Sequence, residues 1–161
     1  MYVQIKEQIV INGVAYSTIA AVSPLGFLCW RIYDGNIGQE EFIEFINVSL
    51  APFIIPDHVV VLDNASIHHA LATRVVLELA LHGNFFYSAR YSPHLKPMEP
   101  CFALVKNWIR DHEDEAVLNP LAYINQTFNL FAIGGERAQT IRGHWNGYFS
   151  NYAGFLEQLN A

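Results

Sequence analysis

The chain has 161 residues, enough for one domain with a sizeable core. Hydrophobic residues make up 52% and charged residues 15%, which excludes a disordered polymer. The formal net charge of −6 argues against strong unaided binding to nucleic acid, because non-specific affinity comes from neutralising phosphates. No apolar run reaches the length of a membrane span, and no basic segment precedes an apolar one. Neither a membrane anchor nor a secretory signal is expected. Cys29 and Cys101 sit in apolar segments without metal-ligand spacing and read as buried thiols of a reducing compartment.

The first third reads as strands. Residues 2–11 alternate, with Val3, Ile5, Ile9 and Ile11 on one face, and Asn12-Gly13 is a two-residue hairpin signal. A second strand covers 14–22 and ends at Ser23-Pro24; a third covers 26–33 and ends at Asp34-Gly35, a turn pair. Together they predict an antiparallel meander. Residues 39–51 follow a helical period through Phe42, Ile43, Phe45, Ile46 and Leu50. Val59 to Leu62 is a short β-branched run, the pattern of a strand buried on both faces at the centre of a sheet, and it ends at Asp63.

Ser66 is a candidate cap for a helix over about 67–81, closed by His82-Gly83. Another short strand covers 84–88. The loop Tyr91-Ser92-Pro93 leads to a helix from about Pro97 to Asp111, with an inner stripe of Phe102, Val105, Trp108 and Ile109. Asn119-Pro120 starts a further helix to about Ala132, and 136–159 is helical by pattern. The order is β-β-β-α-β-α-β-α followed by extra helices, an α/β class that many unrelated domains share.

Two segments carry chemistry. One is the strand Val59 to Leu62 running into Asp63-Asn64-Ala65-Ser66-Ile67-His68. The other is Tyr91-Ser92-Pro93-His94-Leu95-Lys96-Pro97-Met98-Glu99, which opens a helix with Phe102, Lys106 and Trp108. An Asp at the carboxyl end of a buried parallel strand lies at the mouth of the sheet, where α/β sites gather. A Glu at a helix start can be aimed at the same mouth. Carboxylates converging there repel one another unless a hard, oxygen-loving cation lies between them.

These segments resemble the second and third acidic motifs of DDE-type transposases of the mariner-like branch. There a buried strand ends in Asp-Asn-Ala with a downstream His, and a Ser-Pro-Asp-Leu-Asn-Pro-Ile-Glu loop opens a helix. The 35 residues between Asp63 and Glu99 match the family's spacing. Ala15 to Ser23 resembles the family's second strand and Phe42 to Phe45 its first helix, so the resemblance covers roughly 13–112.

The resemblance implies one RNase H-like domain over 1–161, with 119–159 as a helical C-terminal extension. It implies a mixed sheet of three antiparallel strands followed by parallel βα units. It implies Asp63 and Glu99 as catalytic metal ligands for Mg²⁺ or Mn²⁺, Asn64 and His68 as their supporting neighbours, and DNA as partner. It further implies DNA cleavage and strand transfer by phosphoryl transfer, in an intracellular setting that is nuclear in a eukaryote.

This sequence departs from the pattern. His94 stands for the usual Asp, Lys96 for the usual Asn, and Pro100 where a second Glu is common. The first acidic motif belongs on a first strand well upstream, and only about a dozen residues precede the matching segment. Either the chain is a truncated or repurposed derivative, or residues 2–11 occupy the first-strand slot with Glu7 as replacement acid. Three readings stay open: an active DDE endonuclease core, an inactive interaction module that is a possible homo-oligomer, and an RNase H-like nuclease on RNA–DNA hybrids.

Overall fold

A computed structural model describes residues 2–63, 69–88 and 98–147, with side chains from Gln8 onward. Three long strands come first: β1 (Tyr2–Ile11), β2 (Val14–Ser23) and β3 (Gly26–Tyr33). β1 and β2 are joined at Asn12 and Gly13, both with positive φ (48° and 78°), as a tight primed hairpin turn requires. The five strands of the sheet run in the order β3-β2-β1-β4-β5, where β4 is Val60–Leu62 and β5 is Phe85–Tyr87. β1 pairs antiparallel with β2 and parallel with β4, and β4 pairs parallel with β5. This is the expected RNase H-like arrangement. The strand read as central is internal, one in from the β5 edge, and β1 holds the middle.

One expectation about β1 is corrected. Val3 and Ile5 pair with Ala21 and Ile19, but Ile9 and Ile11 pair with Tyr16 and Val14, with an irregularity between Ile5 and Glu7. A bulge inserts one residue, and a one-residue shift exchanges the two faces of a strand. Strict alternation therefore does not run from Val3 through to Ile11.

Helices cover both faces, as a sheet with parallel strands needs. On one face lie α1 (Gln39–Glu44), the π-helical turn Phe45–Leu50 that continues it, and α2 (Leu71–Ala80). Phe42, Phe45, Ile46, Leu50, Leu77 and Leu81 pack there on Ile19, Ala21, Val60 and Leu62. The helix expected over 39–51 thus changes pitch halfway and closes in a 3₁₀ turn, Ala51–Phe53, with Pro52 inside it. The Glu41 carboxylate accepts from the Gly38 N–H at 2.8 Å and fixes the start of α1. Arg31 of β3 pairs with Glu44 at 2.7 Å and donates to Ser49 Oγ at 2.8 Å, tying this layer to the sheet.

On the other face lie α3 (Met98–Asp111), the short α4 (Glu113–Ala116), α5 (Pro120–Phe131) and a helical stretch over 138–147. Their side chains enclose Ile9, Ile11, Tyr16, Ala20, Val22 and Phe27. The Phe27 ring meets Phe128 edge-on at 4.9 Å and Phe102 at 5.5 Å; Trp30 stacks on Phe128 at 5.4 Å. Asn119 caps α5 by accepting from the Ala122 N–H, with Pro120 in its first turn, as the sequence indicates. α4 was not anticipated: four residues, three of them acidic, give no apolar period to read. α2 begins at Leu71, and the expected cap Ser66 lies outside the described residues, as do Tyr91–Pro93, Pro97 and the tail 148–159. No helix among the described residues is long and apolar enough to cross a membrane.

Gly26 marks a close approach. Its φ is +133°, and a Cβ there would come within 2.8 Å of backbone atoms of Phe131, Ala132 and Ile133. The same contact carries the Ile133 N–H to Phe27 O bond at 3.0 Å, which pins the end of α5 to β3. Gly26→Ala should therefore cost about 3 kcal/mol or more, because strain and a backbone clash add. Gly13→Ala meets no neighbour and should cost only about 1–2 kcal/mol of left-handed strain. Urea unfolding of the two variants checks the difference.

Cys101 is buried, whereas Cys29 is only half-buried. Burial pushes both thiols up to about 12, with a backbone hydrogen bond to Ala21 acting the other way at Cys29. The folded chain should resist iodoacetamide at pH 8, and denaturant should release both thiols. The folded pKa values lie above the ordinary thiol value of 9.0. The stability they contribute is therefore present below pH 9 and lost as pH rises toward 12, which thermal melts across that window check.

Candidate active site at the carboxyl end of the parallel strands

β4 is a three-residue run held on both sides. Val61 and Leu62 are in register with Tyr2 and Val3 of β1, while Val60 and Leu62 are in register with Phe85 and Tyr87 of β5. Val60 and Leu62 are fully buried, so the chain has no freedom to shift this strand by one residue without burying or exposing the wrong side chains. The backbone pairing continues one step further: the Ser88 N–H donates to Leu62 O at 2.7 Å. The next residue of β4's chain is Asp63, one step beyond the paired residues; continuing the same register sets it level with Gln4 on β1 and Ser88 after β5.

Asp63 is half-buried, and its Oδ1 is fully buried, as is Ser88 Oγ. Nearby, the His69 ring lies tilted against Tyr87 at 4.4 Å. Burial raises the Tyr87 phenol, with Arg74 pulling it down and Glu78 adding to the rise. The strand ends thus carry a carboxylate oxygen and a hydroxyl that are both removed from water, with an imidazole lying against the last residue of β5.

Glu99 is the second residue of α3 and is exposed, next to the buried Met98 that anchors the helix start. α3 lies on the sheet through Cys101, Phe102, Val105 and Ile109. Its later turns line an open cleft of about 250 Å³ between Gln8, Ile9 and Val10 of β1 and Lys106, Ile109, Arg110 and Glu113. The Asn12 N–H donates to Glu113 Oε1 at 3.2 Å. These contacts place the C-terminal half of α3 beside β1 near the hairpin, so its first turn lies on the side away from the hairpin.

Asp63 and Glu99 therefore occupy the element ends that the sequence indicates. Asn64 and His68 lie outside the described residues. Glu7 pairs with Thr18, three residues along β1 from Gln4. Among the described residues no group of three His, Cys, Asp or Glu side chains converges as a metal site. Sequence reasoning missed Ser88 and His69. Ser88 was legible in principle, since it follows β5 as Asp63 follows β4, and adjacent parallel strands that end together present those residues side by side.

Comparison with known proteins agrees with this fold. The family model described as DDE superfamily endonuclease matches residues 9–117, more than half of the chain, and the chain belongs to that family. Among solved structures, the Mos1 transposase catalytic domain with Raltegravir and Mg is similar at 18% identity, with a TM-score of 0.60. The match covers 93% of this chain and 82% of that one. The crystal structure of the Mos1 mariner transposase catalytic domain matches at 16% identity and TM-score 0.55, over 93% and 81% of the two chains. A chain of the simian T-cell lymphotropic virus intasome in complex with PP2A regulatory subunit B56 gamma matches at 11% identity and TM-score 0.63, covering 80% of this chain and 47% of that one. At these identities the likeness is one of fold: that of the Mos1 transposase catalytic domain and of a chain of the intasome. Among curated proteins none matches the chain.

Proposed function

We propose that the chain is a transposase-derived DDE endonuclease core in which Asp63 and Glu99 hold a hard divalent cation and act on DNA by phosphoryl transfer. The observation that carries this reading is the position of Asp63. It ends an internal parallel strand, with one carboxylate oxygen buried in the mouth. The run of α3 supports the second ligand. Glu99 precedes Lys106 and Arg110 by seven and eleven residues, roughly 10–16 Å of helix. Measured back from Gln8–Val10 at roughly 3.3 Å per residue, that distance leads to the neighbourhood of Gln4 and Ile5, level with Asp63.

Carboxylate oxygens are the donors that Mg²⁺ and Mn²⁺ prefer, and the Mos1 catalytic domain has been solved with both. Bound there, such an ion would activate a water or a DNA 3′-hydroxyl and neutralise charge on the leaving oxygen. Asp63, fixed by the strand pairing on both sides, orients its oxygens. Asn64 and His68 would support them.

β1 fills the slot beside β4, the condition under which Glu7 serves as replacement acid. Level with Asp63, however, the strand carries the amide Gln4. Glu7 lies three residues on, about 10 Å along the strand. That amide is the specific observation favouring the second reading, an inactive interaction module. Two strong carboxylates hold one ion weakly and position a second one poorly, and positioning is most of what such catalysts supply.

The chain should therefore bind Mn²⁺ weakly and nick supercoiled plasmid slowly or not at all with Mg²⁺. Asp63→Ala and Glu99→Ala should each reduce Mn²⁺ binding, read by titration calorimetry, and lower any Mn²⁺-supported nicking on the order of a hundredfold. Loss in Glu7→Gln as well identifies the third acid. Unchanged Mn²⁺ binding in the first two variants sinks the metal-site reading. Reduced binding without nicking in any sample leaves the inactive module standing, and preference for RNA–DNA hybrids would point to the hybrid nuclease.

Lys106 and Arg110 lie on the same face of α3 as Glu99 and continue it as a basic track along the cleft. They are the cations placed to meet phosphates beyond the mouth. In a duplex-binding titration, Lys106→Gln/Arg110→Gln should weaken binding equally for unrelated sequences. It should also lower the slope of log affinity against log salt by about 2.

A further inference from the structure

Helix α2 is apolar on both sides. Its inner side, Thr73, Leu77 and the following Leu81, is buried against the sheet. Its outer side carries Leu71, Val75 and Leu79, which are 80%, 52% and 74% exposed. Spacings of four residues align these three in one stripe, and Arg74 and Glu78, also four apart and exposed, run beside it. A surface helix ordinarily turns polar residues outward, so a stripe of three large aliphatic residues marks a contact surface.

We propose that this face pairs with the same face of a second copy of the chain, the two α2 helices antiparallel about a twofold axis level with Val76. The argument is self-complementarity, which a twofold interface demands. About that axis, residues equally far on either side of 76 stand level. Arg74 of one copy then meets Glu78 of the other, and the same pair forms again by symmetry. In the same register Leu79 of the second copy falls level with Thr73, between Leu71 and Val75. Val75 of the second copy falls level with Leu77, between Val75 and Leu79. The apolar stripes interdigitate and both charges find opposite partners in a single arrangement. In a parallel pair the charged flanks would fall on opposite sides of the seam, and neither Arg74 nor Glu78 would meet its partner's opposite charge.

Two ten-residue helices bury less than the roughly 1,200 Å² at which standard interfaces begin, so the dimer is weak and reversible, in the micromolar range or above. The surface lies on the opposite side of α2 from the sheet, and its occupation is independent of the metal-site reading.

Sedimentation equilibrium of the full chain over a concentration series tests the proposal. A monomer–dimer equilibrium is expected, abolished by Leu79→Glu. Arg74→Glu and Glu78→Arg should each raise the dissociation constant on the order of tenfold, by setting like charges together. The double exchange Arg74→Glu/Glu78→Arg should restore it. Circular dichroism confirms that these exposed substitutions leave the fold intact. Under diamide, Val75→Cys should give a disulfide-linked dimer, because the two positions are about 3 Å apart along the axis. Leu71→Cys should not, at about 15 Å apart. A chain that stays monomeric throughout, failure of the double exchange to restore pairing, or equal cross-linking at positions 71 and 75 would overturn the proposal.

Discussion

The structure depends on a short parallel seam. Two register pairs, Tyr2 with Val61 and Val3 with Leu62, join the antiparallel meander to the βα half of the chain. A parallel strand reaches such a seam only through a crossover, and both faces of the sheet must then be covered. The crossover is α1 with its π turn, and Phe42, Phe45, Ile46 and Leu50 are its buried side. Because β4 has only three residues, its own hydrogen bonds hold it weakly. What fixes it is the full burial of Val60 and Leu62 and the neighbour on each side. The seam determines that Asp63 follows directly on the paired residues, and its register continued by one step sets Gln4 and Ser88 level with it.

The two faces of the sheet are built from different materials. The α3–α5 face is aromatic, with Phe27, Phe102 and Phe128 meeting edge to face and Trp30 stacked at the rim, its Nε1 donating to Asn125 at 2.8 Å. Rings of that size need a fixed helix spacing, and the contact of Gly26 with the end of α5 sets it. Through this packing α3 is held against β1, which brings its basic residues Lys106 and Arg110 to the cleft. The other face is mostly aliphatic, and α2 rides on it with a second apolar side left outward. The two proposed roles are therefore separated in space: chemistry at the strand ends, and association on the outer helix.

Much of this was legible from the sequence because it rests on local rules. Asn12-Gly13 demanded a primed turn, Asn119-Pro120 a helix start and His82-Gly83 a helix end, and each has the backbone geometry those residues favour. The β-branched run ending in Asp63 could only be an internal strand, and the paired motifs around Asp63 and Glu99 named the family. The pitch change at Phe45 was not legible, since a π turn keeps the same apolar residues facing inward. Nor was α4, too short and charged to show a period.

The sequence by itself determined most of the elements, the hairpin and the family, because turn chemistry, periodicity and motif spacing act within a few residues along the chain. Only the tertiary structure decided which residues stand beside Asp63. A bulge at Lys6 interrupts the alternation of β1, and strand register is a long-range property set by packing, so Gln4, Ser88 and the run of α3 along β1 had no local signal. The same holds for α2. Its apolar residues encircle the helix, and only its docking on the sheet settled that Leu77 faces the core while Leu71, Val75 and Leu79 face outward.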